Sequence, residues 1–274
     1  MTRKYFAGVA LALTLAGCAV SQQQEVQMGQ SYSQQVNQQL PIINDAELVR
    51  YINVLGDSIA DLTKRGDLDW HFYIVDSPEV NAFAIPGGFI YVNRGVIERS
   101  DRLDQLAGVI GHEIGHVVKR HSIKQMQQQQ NANIGVTLAC VLTSVCNSQA
   151  AQAAIQVGGA AVFAKFSRTD ETEADAEGIK NVVRAGIDPN GLPEMFRKLL
   201  DERNAKGSAG GSVDAWFATH PLEEDRIATT SAIIARDYDP ALIRTLTKDT
   251  QGFQNFKRRV MSLPPSPVQQ PTGG

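Results

Sequence analysis

Cysteine and histidine are both scarce in this 274-residue sequence, with three of the first and five of the second. Three cysteines, Cys18, Cys140 and Cys146, cannot build the dense disulfide framework of a small secreted domain. There is no block of five to eight Lys/Arg, and the formal net charge is -3, so nucleic acid is not expected as a partner. No mature apolar run reaches the roughly 18–20 residues that a membrane-spanning helix needs. What is there is an ordinary globular balance, 43% hydrophobic and 20% charged, in a chain long enough for one good core.

The first 17 residues read as targeting rather than fold. Arg3 and Lys4 make a positive start, and Tyr5 to Leu15 is a short apolar core. Leu15-Ala16-Gly17-Cys18 then resembles the lipobox of bacterial lipoproteins. In that reading residues 1–17 are a signal peptide. A lipid on Cys18 then anchors the mature chain to a membrane surface without crossing it. Ala19 follows the cysteine, and in the sorting pattern a residue other than Asp there favours the outer membrane, with the domain on its periplasmic face. Cys140 and Cys146 remain. Six residues of continuous helix span about 9 Å, beyond the roughly 7 Å Cα separation a disulfide tolerates. The segment can be a continuous helix or carry a bridge, not both.

The rest divides by pattern. Residues 18–40 are Gln/Ser-rich, a tether that becomes a helix before Pro41. Residues 41–240 form the main domain, 241–262 a helical extension, and 263–274 a Pro/Gly-rich tail expected to be disordered. Leu48, Ile52, Leu55, Ile59 and Leu62 follow a 3–4 spacing, so a helix runs from an Asp45 cap to about Thr63. Trp70 to Val75 is aromatic and β-branched, hence a strand, and His71 is read as an ordinary strand histidine. Residues 81–92 place two apolar strands around Pro86-Gly87-Gly88, which reads as a hairpin. Pro beside a strand marks an edge. A free edge is where an extended peptide could add as a further strand, although the hairpin could equally just cover the core. Residues 132–166 are rich in Ala, Val and Gly and read as a helical hairpin, packed in the core or dipping into a membrane interface.

The scarce histidines matter because two of them stand in His112-Glu113-Ile114-Gly115-His116, inside an apolar helical segment expected to start from a Ser100 or Asp101 cap. Positions i and i+4 share a helix face, so both imidazoles can bind one Zn²⁺, with Glu113 placed as a general base for water. A hydrolytic zinc site needs a third protein ligand. His121 does not supply it through the metzincin pattern, because it falls one residue early and Lys119 stands where Gly is required. It is left as a helix-end residue. A second helix opens at Ser167, with Asp170 completing an N-cap signature, and closes near Gly186. At about 100° per residue, Glu171 shares its face with Asp175, Ile179 and Val182, while Glu173 and Glu177 fall on the side of Lys180 and Arg184. Glu171 is therefore the inward carboxylate and the expected third ligand. Asp175, one turn on, is placed to accept from a ligand imidazole. Glu173 and Glu177 are assigned to solvent.

His-Glu-Ile-Gly-His, Ser167-Arg168-x-x-Glu171-x-Glu173-Ala174-Asp175-Ala176-Glu177-Gly178 and Ala218-Thr219-His220-Pro221-Leu222-Glu223-Glu224-Asp225-Arg226, with Asn81-Ala82-Phe83-Ala84-Ile85-Pro86-Gly87-Gly88 upstream, closely resemble the HtpX / CaaX-prenyl-protease superfamily of gluzincin metallopeptidases. Among its branches the chain resembles the short periplasmic lipoproteins of the LoiP/YcaL type. The resemblance spans about residues 25–236. It implies an α+β fold, mostly helical, with a small antiparallel sheet whose edge strand borders the active site. It implies one Zn²⁺ per chain at His112, His116 and Glu171, with Glu113 as base. It also draws in His220, as a lid, a transition-state donor or an auxiliary ligand masking the metal, against the plain reading of a turn residue before proline. Arg226 would pair with an acid near the site. The implied activity is endoproteolysis of extended or misfolded cell-envelope proteins. The alternative is a zinc-binding assembly factor for outer-membrane proteins with little proteolysis.

Overall fold

The computed structural model describes residues 20–131, 165–206, 213–221 and 224–267. The signal segment, Cys18 and the Cys140/Cys146 segment lie outside the described residues, as does most of the expected 132–166 hairpin.

Ser21 opens α1 (Gln22–Gln39) through a capping box with Gln24. This segment is docked along much of its length rather than acting as a free tether. Tyr32 is buried in a cluster with Phe83, Ile85, Phe89 and Tyr91. Glu25, 1% exposed, is held by Arg65 and Arg120, each at 2.7 Å. Asp45 caps α2 (Ala46–Ala60) by accepting from the N–H groups of Glu47 and Leu48, as its position predicts.

Three strands follow, β1 (His71–Val75), β2 (Ala82–Ile85) and β3 (Phe89–Asn93). Gly87 and Gly88, at φ +86° and +104°, make the reversal between β2 and β3 that only glycine adopts freely. The sheet order is β1-β3-β2. β2 pairs antiparallel with β3, but β1 pairs with β3 in parallel. The sheet is thus mixed rather than wholly antiparallel, within the expected α+β class. The loop 76–81 carries the chain past the central position, and the hairpin then returns β3 into it, running in the direction of β1. Alternation along β3 splits its side chains. Ile90 and Val92 join the main core, while Phe89 and Tyr91 face the α1 cluster. Both outer strands are sheet edges. On β1, the side chain of Asn53 bonds both N–H and C=O of Phe72, and the Ile43 N–H bonds the Ile74 carbonyl. That edge is already satisfied.

The helices are α3 (Arg94–Arg99), α4 (Leu103–Lys119), α5 (His121–Asn131), α6 (Arg168–Arg184), α7 (Gly191–Lys206), α8 (Asp214–Thr219), α9 (Glu224–Asp237), α10 (Pro240–Ile243) and α11 (Gln251–Met261). α4 is the central element. Every residue from Leu103 to Val117 is buried, against α6, α7, α2 and the sheet. Neither Ser100 nor Asp101 caps it. Its N-cap is Arg102, and its first N–H groups are satisfied from far along the chain, Leu103 by the Asp249 carboxylate and Asp104 by the Lys248 carbonyl. α6 begins with the expected Ser167/Asp170 capping box and ends before Gly186, whose φ is +77°. Glycines let α4 and α6 touch. A Cβ on Gly178 would stand 2.8 Å from the Gly111 carbonyl carbon.

Two further expectations shift. Glu177 is buried rather than solvated, because α9 packs beside it on α6. It is held by Lys180 at 3.1 Å, Lys119 at 3.5 Å and Asn181 at 3.2 Å. The chain is also still attached past Leu263. Arg94 bonds the carbonyls of Leu263 and Pro264, and Ser266 bonds Asp76. Among the described residues no helix is long and apolar enough to cross a membrane.

Candidate metal centre

Four buried side chains converge from three places in the chain. α4 supplies His112 and His116, α6 supplies Glu171, and the residue ending α8 is His220. All four are no more than 1% exposed. One donor atom from each lies within 4.8 Å of the others, and no other such group occurs among the described residues. The two Nε2 atoms of His112 and His116 are 3.0 Å apart. Glu171 places Oε1 3.4 Å from His116 Nε2 and Oε2 3.6 Å from His112 Nε2. His220 Nδ1 stands 3.1 Å from Glu171 Oε1 and 3.3 Å from His112 Nε2. Glu171 thus lies on the buried side of α6, facing the two histidines.

The surroundings fix these groups. His112 donates from Nδ1 to Asp175 Oδ1 at 2.8 Å. Arg226 grips the same carboxylate with a two-pronged contact, Nε to Oδ2 at 2.7 Å and Nη2 to Oδ1 at 2.8 Å, and also ion-pairs with Glu171 Oε2. Its guanidinium lies 4.4 Å over the Phe196 ring. Phe166 stacks on His116 with ring centres 4.0 Å apart.

The charge states suit a cation. Burial pushes the His116 imidazole well below its ordinary range, leaving it neutral with a free lone pair. Burial acts to raise the Glu171 carboxyl, but the charges of His220 and Arg226 and the imidazole hydrogen bonds outweigh it and hold it well below the usual range. Asp175 is likewise held low against its burial, chiefly by Arg226. Glu113 is different. Burial raises its carboxyl, and neither of its buried oxygens has a hydrogen-bond partner among the described residues. His220 Nε2 stands 3.5 Å from its Oε1. A buried, unsatisfied carboxylate beside two histidines and an ionised glutamate is costly on its own. The donor set of imidazole nitrogens and one carboxylate oxygen is the kind that binds Zn²⁺, and these residues fit that ion.

His121 was not anticipated as part of this centre. It is 1% exposed, and its Nδ1 lies 3.0 Å from His116 Nδ1. His71, in β1, remains an ordinary strand histidine stacked on Phe89.

A buried His-Glu-His-type donor set carried by an HExxH helix and a second glutamate helix defines a zinc metallopeptidase-type domain. The sequence pattern of peptidase family M48 matches residues 46–234, and the chain belongs to that family. This bears out the resemblance drawn from the motifs. The chain is 35% identical over 257 residues to the beta-barrel assembly-enhancing protease of Escherichia coli strain K12, covering 91% of this chain and 51% of that protein. It is 32% identical to the putative beta-barrel assembly-enhancing protease of Vibrio cholerae, over 83% of this chain and 47% of that one. It is 29% identical to the mitochondrial metalloendopeptidase OMA1 of Schizosaccharomyces pombe, over 65% of this chain and 50% of that one. The chain therefore spans about half the length of these relatives.

Proposed function

We propose that this protein is a zinc-dependent endopeptidase, held at the periplasmic face of the outer membrane by a lipid on Cys18, that degrades misfolded or stalled envelope proteins. The observation that carries the peptidase reading is Glu113. It is the one carboxylate of the centre left without a hydrogen bond, on the same helix as two of the candidate ligands.

His112, His116 and Glu171 would hold the metal, with Asp175 orienting His112 and Arg226 bracing both carboxylates. A bound Zn²⁺ supplies Lewis acidity, polarising a peptide carbonyl and making water a better nucleophile near neutral pH. Glu113 takes a proton from the attacking water onto a carboxylate oxygen and passes it to the departing amine nitrogen. Its raised proton affinity brings it closer to the working pH of a general base. His220 Nδ1 stands among the metal donors, so this arrangement is a closed one, and His220 acts as a gate that must swing away for a substrate carbonyl to enter.

The substrate is read as an extended segment adding to the β2 edge, since the β1 edge is closed by Asn53 and Ile43. Asn93 bonds back to Asn81, which with the strand register turns the backbone groups of Ala82 and Ala84 outward. These residues are buried here, so a segment reaches this edge only once the groups covering it move aside. Unfolded outer-membrane proteins offer such segments. The names of the bacterial relatives also favour a second reading, in which the protein assists barrel assembly with little cleavage.

Metal analysis combined with cleavage of an unfolded barrel protein tests both. Wild type should carry one zinc and cleave. Glu171→Gln should lose zinc and activity together. Glu113→Gln should keep zinc and lose cleavage. If Glu113→Gln retains full assembly activity in cells, the assembly reading replaces the peptidase one.

A further inference from the structure

The two candidate histidine ligands are supported differently. His112 donates directly to the Asp175 carboxylate. Among the described residues, His116 meets no carboxylate through its Nδ1, which faces the Nδ1 of His121 at 3.0 Å. His121 in turn points Nε2 at Glu173 Oε2, 3.4 Å away, and at Asp170 Oδ1, 3.6 Å away.

Such a contact needs a break in the helix. In a continuous helix a residue five positions on is rotated about 140° from His116 and could not return to its ring. Arg120 supplies the break. It ends α4 in the left-handed conformation, φ +58° and ψ +37°, which non-glycine residues adopt at a cost. Glu25 of α1 holds its guanidinium at 2.7 Å. The chain turns sharply there, and the first residue of α5 swings back beneath His116.

We propose that His121 is a positioning residue for the metal ligand His116, fixing its ring orientation and its Nδ1–H tautomer and tying it to the carboxylates of Glu173 and Asp170. The tautomers follow from the contacts. A neutral His116 that offers the Nε2 lone pair to a metal carries its proton on Nδ1 and donates it to His121 Nδ1. His121 then carries its own proton on Nε2, where the two carboxylates accept it. The pair forms an imidazole–imidazole–carboxylate chain doing for His116 what Asp175 does for His112. The inference rests on the zinc site proposed above.

Zinc affinity by chelator competition tests it, together with thermal unfolding of the zinc-free protein. His121→Phe keeps a ring in the pocket and removes the acceptor. Zinc should bind about 10–100-fold more weakly, while the zinc-free unfolding temperature stays near that of wild type. His121→Asn, whose Oδ1 can accept from His116, should recover most of the affinity. Wild-type affinity in His121→Phe overturns the proposal, as does an Asn variant as weak as the Phe variant, which would mark His121 as packing only. A wild-type protein that takes up no zinc overturns the zinc site itself, and this inference with it.

Discussion

Gly178→Ala probes the contact on which the metal centre depends. The added Cβ would lie 2.8 Å from the carbonyl carbon of Gly111, 2.9 Å from its oxygen and 2.9 Å from the backbone nitrogen of His112. Carbon atoms rest at about 3.5–4.0 Å, so α4 and α6 must part locally by about 0.7 Å or more. None of the obstructing atoms belongs to a flexible side chain. In an unobstructed helix the change would stabilise by about 0.5–1 kcal/mol. With three backbone atoms under 3.0 Å, overpacking here falls in the upper half of its usual range, about 2–3 kcal/mol, leaving a net loss of about 1–2.5 kcal/mol. For a domain of this size that lowers the unfolding temperature of the zinc-free protein by roughly 2–10 °C. The displacement also separates Glu171 from the two histidines by more than the ~0.2 Å tolerance of a metal site. Zinc affinity should fall by at least about tenfold, on the scale of other perturbations to ligand placement. A variant that melts at or above the wild-type temperature with unchanged zinc affinity would refute the packing argument.

Arg226→Ala leaves the buried Glu171 and Asp175 carboxylates without their cation, and should cost about 3–5 kcal/mol in urea unfolding of the zinc-free protein. Arg226→Lys should recover only part of that, since an ammonium cannot reproduce the two-pronged contact. Glu177→Gln tests a pH dependence. Burial acts to raise the Glu177 carboxyl, but Lys180 and Asn181 outweigh it and hold it below its ordinary value. A lowered carboxyl stabilises the fold above the unfolded-state value of about 4.3 and loses that contribution as pH falls through the folded value. The stability gap between wild type and Glu177→Gln should therefore be at most about 1 kcal/mol near neutral pH, because its lysine partners are partly exposed. It should close as the solution is acidified below pH ~4.

Local signals in the sequence located most of the centre. The i, i+4 histidines, the Ser167 cap and the face shared by Glu171 and Asp175 depend only on helical geometry, and the structure keeps them. Features set by distant packing were not legible. The N-terminus of α4 is satisfied by Lys248 and Asp249, about 145 residues on, so no neighbouring residue announces the cap. Glu177 sits on the charged face of its own helix, yet Lys119 of α4 and the packing of α9 on α6 take it out of solvent. The parallel pairing of β1 with β3 follows from where the 76–81 loop delivers the chain, and strand propensity does not encode that. His121 was set aside because the metzincin spacing failed. Its position depends on the left-handed turn at Arg120, held by a glutamate from α1 almost a hundred residues earlier.

The central claim is that Glu113 is a base beside a zinc held by His112, His116 and Glu171. Zinc content and cleavage rate, measured side by side on wild type and Glu113→Gln, test it most directly. The account predicts one zinc per chain in both proteins and a rate lowered by at least about 10²-fold in the variant, the scale of a lost general base. A zinc-loaded Glu113→Gln protein that cleaves at the wild-type rate would contradict it.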